Sequence, residues 1–256
     1  MVSLTVLKAV KVTPGLLVRF ALLPTRKVKN PCIYCPGICI ASCPTYVSTG
    51  NMALSPIGYS RDRELAVKAC LKCWRCTLEC PVHFPLPETL NETPVKPVLE
   101  IRRTGKPLLV AARGLDEELG LRLATRLNLG LAVVSGIEDR YTLGRPLDKK
   151  ALRRIVKQLA SADPVALSPE TSHALEIPFI LERTDLLPHI KYAGKVHIPC
   201  LLTQKKEKIK ESLEKLGVKI TEIDDESCIK SSCSRDVLYL CPRALSKGAT
   251  TIFDLL

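Results

Sequence analysis

Aromatic side chains are scarce in this chain: four Phe, six Tyr and one Trp, or 4% of 256 residues. Proteins that read RNA or single strands stack bases on such rings, so a nucleic-acid partner has little support. No apolar run approaches the ~18 residues that a membrane span requires, and no secretory h-region with a small-residue cleavage site precedes the first cysteine. No segment is therefore expected to cross a bilayer. GxGxxG, GxxxxGK[ST] and GxSxG are all missing, which removes the common dinucleotide, phosphate-cradle and serine-hydrolase fingerprints; no flavin or NAD site is expected on this chain. Acidic residues are missing from the first 29 positions, where Lys8, Lys11, Arg19, Arg26, Lys27 and Lys29 supply half of the net charge of +12. This basic arm, read either as a hairpin or as a strand and an amphipathic helix, suits an anionic membrane face or an acidic partner.

Cysteine is abundant. Twelve of 256 residues, about 5%, lie above ordinary usage but below the ~8–10% of a short disulfide scaffold. Eight fall between Cys32 and Cys80 in two tight groups, which favours metal-bound thiolates in a reducing, cytoplasmic compartment over disulfides. At 46% hydrophobic and 25% charged, the chain is globular and long enough for two domains.

Cys70, Cys73, Cys76 and Cys80, followed by Pro81, form CxxCxxCxxxCP. Three thiolates of such a run hold one cubane iron-sulfur cluster, and the fourth turns to a second cluster. Cys32, Cys35, Cys39 and Cys43, followed by Pro44, repeat the run with Pro36 and Gly37 at a one-residue insertion. The resulting partition is Cys32, Cys35, Cys39 and Cys80 on one [4Fe-4S] cluster, and Cys43, Cys70, Cys73 and Cys76 on another. Two zinc ions are the alternative, but zinc sites usually separate two ligand pairs by a longer stretch. Zinc has no redox chemistry, so the choice decides the function.

From Pro107 onward, short apolar runs alternate with helical patterns. Strands are expected at 107–112, 131–135, 165–167, 195–198, 218–223 and 237–240, and helices at 116–127, 148–160 and 204–216, the last with a solvated lysine-rich face. This alternation argues for an α/β layer with a largely parallel sheet. Residues 83–97, with Pro85, Pro87, Pro94 and Pro97, read as an extended linker, and a domain boundary is expected near residue 105.

The segments Cys43 to Gly50 (CPTYVSTG) and Ser55 to Gly58 (SPIG), together with the two cysteine runs, resemble the amino-terminal module of a group of iron-sulfur subunits. These belong to glycolate oxidase, anaerobic glycerol-3-phosphate dehydrogenase and lactate-utilisation complexes, with heterodisulfide reductase related. The resemblance implies a helical dicluster ferredoxin domain over 30–100, and a helix from Arg61 to Ala69 capped by Ser60 agrees with it. More loosely, Val196 to Leu201 (VHIPCL), Ser227 with Cys228, Ser232 with Cys233, and Cys241 with Pro242 resemble the cysteine-rich CCG domain of the same subunits. A degenerate repeat pair over 106–256 is implied, its first repeat without ligands. The fold class expected is thus a multidomain α+β protein, a helical ferredoxin domain followed by an α/β CCG-like domain.

Cys200, Cys228, Cys233 and Cys241 are either ligands of a third cluster or four free thiols. His197 is a ligand, a proton carrier or a structural residue, and His83 stands close enough in sequence to tune a cluster. By resemblance, the chain is an electron-transfer subunit of a respiratory, membrane-associated complex. It takes electrons from a flavoprotein that oxidises a 2-hydroxy acid or glycerol 3-phosphate and passes them toward quinone or another carrier. Residues 1–29 would give peripheral contact with the inner face of the cell membrane. Disulfide reduction at a carboxy-terminal cluster, and a zinc adaptor with a basic arm on nucleic acid, are the competing readings.

Overall fold

A computed structural model describes residues 30–114, 116–224, 234 and 236–256. The basic arm, Cys228 and Cys233 lie outside the described residues. The chain combines helices and strands. Its cysteine-rich first part is helical, built from short pieces that prolines start and polar caps fix: α1 (Pro44–Thr49), α2 (Pro56–Arg61), α3 (Arg63–Ala69) and α4 (Arg75–Leu78). Pro44 and Pro56 occupy first-turn positions, where a missing N–H costs nothing, and Ser55 accepts a hydrogen bond from Gly58 N. The helix expected from Arg61 begins two residues later. Asp62 Oδ1 accepts from Leu65 N at 2.9 Å and is the cap, whereas Ser60 Oγ bonds back to Ile57 O inside α2. A carboxylate at the cap, followed by Glu64, suits the positive end of the helix better than a hydroxyl.

The proline-rich segment is not an extended linker. Residues Leu86–Thr89 form a 3-10 turn, and Leu86 and Leu90 bury themselves with Cys43, Tyr59 and Ala66 in a small core of their own. The expected boundary also moves. Strand β1 (Val98–Arg103) already belongs to the sheet that follows, pairing antiparallel with β3 (Gly130–Ser135). Strand β2 (Leu108–Ala112) lies parallel to β3 on one side and to β4 (Pro164–Ala166) on the other, in the order β1-β3-β2-β4. Between these strands run α5 (Glu117–Arg126), α6 (Ile137–Thr142) and α7 (Lys149–Leu159).

Instead of one largely parallel sheet there are two. After α8 (Pro169–Leu175), the strands β5 (Tyr192–His197), β6 (Val218–Asp224) and β7 (Val237–Tyr239) form a second, all-parallel sheet in the order β6-β5-β7, with α9 (Lys206–Lys215) crossing from β5 to β6 and α10 (Ile252–Leu255) closing the chain. The period-two alternation of a strand splits the first sheet between two cores. Leu109, Ala111, Leu131, Val133 and Val165 face the second sheet and share a core with Val196, Ile209 and Leu238, while Leu108, Val110, Ala132, Val134 and Ala166 face Ile137, Tyr141, Ile155 and Trp74. Trp74 belongs to the cysteine-rich part, so the second core fastens the two parts together. Gln204 Nε2 to Leu78 O at 2.8 Å and the Arg140–Glu88 ion pair at 2.9 Å do the same.

Candidate metal centre

Two tight loops gather the cysteines. In the second run, Cys70 caps α3 with its N–H on Ala66 O, and Lys72 and Trp74 both take left-handed backbone conformations, φ +50° and +66°. Such angles are unfavourable for bulky residues and persist where surrounding structure imposes them. They turn the chain twice around Cys73, so that the three thiols of the run face inward. Lys72 N lies 3.4 Å from Cys70 Sγ, and in the first run Gly37 N lies 3.4 Å from Cys35 Sγ. Gly37 has φ +87°, and a Cβ there would meet Ile40 Cδ1 at 2.4 Å. Pro36 and Gly37, at the one-residue insertion, therefore make a turn that only glycine closes.

Cys32, Cys35, Cys39 and Cys80 line one cavity of about 260 Å³, with Pro31, Pro36, Ile57, Phe84 and Leu86 as apolar walls. Cys43, Cys70, Cys73 and Cys76 line a second, smaller one of about 20 Å³ behind Pro56, Trp74 and Leu86. The last cysteine of each run thus borders the same cavity as the other run's first three, and Cys76 is shared by both cavities. The larger space has room for an eight-atom cubane. The smaller, at the size of about one water, admits a cubane only if its thiols rotate outward. Among the described residues, no three His, Cys, Asp or Glu side chains converge closely enough to share a single metal ion, and all ten described cysteines are outside disulfides.

Burial is the main influence on the thiols of Cys32, Cys39, Cys70, Cys73 and Cys76. It pushes Cys32 up to about 11, with Cys39, Cys80 and Cys35 adding repulsion, and Cys39 up to about 11, with Cys35 next. Cys70, Cys73 and Cys76 are raised by burial too; Cys73 feels Cys200 next, and Cys76 feels Cys73. Thiols held this far above neutrality keep their protons until a cationic centre displaces them. No family model, curated protein or solved structure matches this chain.

Several neighbours carry no spacing signal. Tyr59 OH donates to Thr45 Oγ1 at 2.8 Å, and Thr45 Oγ1 stands 3.3 Å from Cys43 Sγ, orienting that sulfur. Arg140, half-buried and ion-paired with Glu88, places its guanidinium carbon 4.4 Å from the Trp74 ring centre, beside the Cys73–Cys76 loop. His83 is exposed and does not line either cavity; its backbone N–H bonds Cys80 O. His197 is buried, with Nδ1 2.8 Å from Asp224 O and its ring against Tyr239. Of the third cysteine set, Cys200 and Cys241 meet at a third cavity, bordered also by Cys73 and His197; Cys228 and Cys233 lie outside the described residues. Among the described residues, no helix is long and apolar enough to cross a membrane.

Proposed function

We propose that the chain is an iron-sulfur electron-transfer subunit, a helical dicluster ferredoxin domain followed by a CCG-like α/β domain. The observation that carries this reading is the gathering of eight cysteines at two adjoining cavities, five lining the first and four the second, with Cys76 common to both. Bound there, two cubanes would supply one-electron transfer and nothing else. The chain's own residues do the remaining work. Cys32, Cys35, Cys39 and Cys80 would hold one cluster and Cys43, Cys70, Cys73 and Cys76 the other. The amides of Gly37 and Lys72 point at sulfur and would favour the reduced charge state. Pro31, Ile57, Phe84 and Leu86 make the first cavity apolar, and the half-buried Arg140, ion-paired with Glu88, lies over Trp74 beside the second set.

The rim of the first cavity exposes Ile38 and Val82, apolar side chains suited to a docking partner. We infer that this partner is a flavoprotein dehydrogenase acting on a 2-hydroxy acid or glycerol 3-phosphate, and that electrons leave toward quinone or another carrier, with the complex on the cytoplasmic face of a membrane. Cys200 and Cys241 at one cavity with Cys73 favour a second reading, disulfide reduction at the carboxy-terminal cysteines. The deciding measurement is iron and acid-labile sulfide on anaerobically purified chain, with electron paramagnetic resonance after dithionite. About eight irons and a reduced-cluster signal are expected; colourless, zinc-containing material would end the proposal. About twelve irons would add the third set.

A further inference from the structure

The helices of the α/β part share an electrostatic rule that α7 breaks. Helices α5, α6, α8, α9 and α10 each place an acid in the first turn: Glu117 and Glu118, Glu138 and Asp139, Glu170, Glu207, and Asp254. There the acid meets the positive end of the helix dipole. The first turn of α7 holds Lys149 and Lys150 instead and no acid. From Lys149 to Ala162 the chain has no Asp or Glu at all.

Five exposed cations occupy this helix: Lys149, Lys150, Arg153, Arg154 and Lys157. At about 3.6 residues per turn they fall within an arc of roughly 140°, centred nearly opposite the buried Ala151, Ile155 and Leu159. They crowd one another. Lys149 with Arg153, Lys150 with Arg154, and Arg153 with Lys157 are i,i+4 neighbours, a spacing at which like charges destabilise a helix. None of the five forms an ion pair among the described residues. The lysines of α9 differ, because Glu207, Glu211 and Glu214 are interleaved with them and Glu182 holds Lys205 and Lys208. That is a balanced, solvated face. In α7 both the helix dipole and the neighbouring charges oppose the arrangement, and only an anion outside the fold would favour it.

We propose that α7 rests on an anionic lipid surface, its five cations among the headgroups. The outer side of the helix is convex, borders none of the cavities at the cysteines and carries no aromatic ring. It offers neither a pocket for a single phosphate nor a stacking platform for bases. A flat, laterally mobile layer of headgroups needs neither, and clusters of about four to eight Lys or Arg on a helix bind such layers. This contact is separate from residues 1–29, and it does not rest on the electron-transfer reading, because lipid binding is measurable whether or not iron is present.

The test is sedimentation of the full chain with vesicles of phosphatidylcholine, alone or with about one third phosphatidylserine. Binding is expected only with phosphatidylserine and should weaken as added salt shortens the Debye length. Lys150→Gln, Arg153→Gln and Lys157→Gln together should weaken it at least roughly tenfold. Because this triple variant removes every i,i+4 repulsion on the face, its melting temperature should rise, whereas side chains kept for the fold would lower it when lost. Lys210→Gln, Lys215→Gln and Lys219→Gln make the same change of charge elsewhere and should weaken binding far less. Equal losses from the two triple variants would mean that net charge alone matters and would overturn the proposal. Binding that the α7 variant leaves unchanged, or that ignores phosphatidylserine, would overturn it too, as would tighter binding to a nucleic-acid duplex than to the vesicles.

Discussion

Asp116 sits at the end of the loop after β2, 3% exposed, with Oδ1 accepting from Ala112 N at 2.5 Å. Burial is the largest influence on it and pushes its carboxyl up to about 7, with Glu170 adding repulsion against the opposing pull of Ser168, Ala112 and Arg243. In the unfolded chain this carboxyl titrates near 3.9. Between those values the folded chain holds a proton that the unfolded chain has lost, so stability is greatest at the acid end of the window and declines as pH rises toward 7. A shift of about three units corresponds to on the order of 4 kcal/mol. His173 acts in the opposite sense. Burial, then Arg140, lowers it to about 4 from 6.5, and its contribution is lost as pH falls through that range. Asp116→Asn should therefore be more stable than the parent above pH 7 and should leave the His173 decline uncovered on the acid side. Urea midpoints from pH 5 to 8 measure both, and an unchanged slope in the variant would refute the assignment. Neither residue could be picked out of the sequence, since burial is a property of the finished fold. The cysteines could be picked out, because spacing along a loop already limits which sulfurs meet.

At the scale of elements, the strands and helices with clear periods were legible in the sequence, and those without were not. Strands β2, β3 and β6 are within a residue of expectation, and α5 and α7 also, whereas α9 begins two residues later than expected because a 3-10 stretch at Cys200–Lys205 precedes it. Strand β1 was missed because Glu100, Arg102 and Arg103 interrupt its apolar pattern. They are there because β1 is a sheet edge, where charges such as Glu100, paired with Arg102 and Arg113, discourage further strand addition. Helices α6 and α8 span six and seven residues, too few to establish a 3.6-residue period. The element with the greatest consequence is the turn before α4. Trp74 carries that turn into the core shared by Ile137 and Tyr141, where its ring centre is 5.4 Å from that of His173 and 5.7 Å from that of Tyr141. Trp74→Ala should cost about 3–5 kcal/mol and detach the Cys73–Cys76 loop from the sheet, whereas Trp74→Phe should cost less than half as much. Denaturant unfolding of both variants checks this; equal losses would mean that ring packing is not what holds the turn.

Across the whole molecule, the order of cysteines in the chain and their order in space differ, and the difference is testable. If each run closed on itself, Cys39 and Cys43 would serve one centre. In the structure they lie at different cavities, Cys39 beside Cys32, Cys35 and Cys80, and Cys43 beside Cys70, Cys73 and Cys76. A single serine at either position should then remove one centre, leaving about four irons of eight. The double variant decides between the arrangements. With crossed ligation, Cys39→Ser with Cys43→Ser damages both centres and should leave almost no iron, while closed runs would leave the second centre and its four irons intact. Cys43→Ser with Cys70→Ser is the converse control: both residues line the same cavity, so about four irons should survive. Thermal melts of each variant separate loss of a centre from loss of the fold, because the two larger cores contain no cysteine side chain and should still unfold cooperatively when the cysteine-rich part does not.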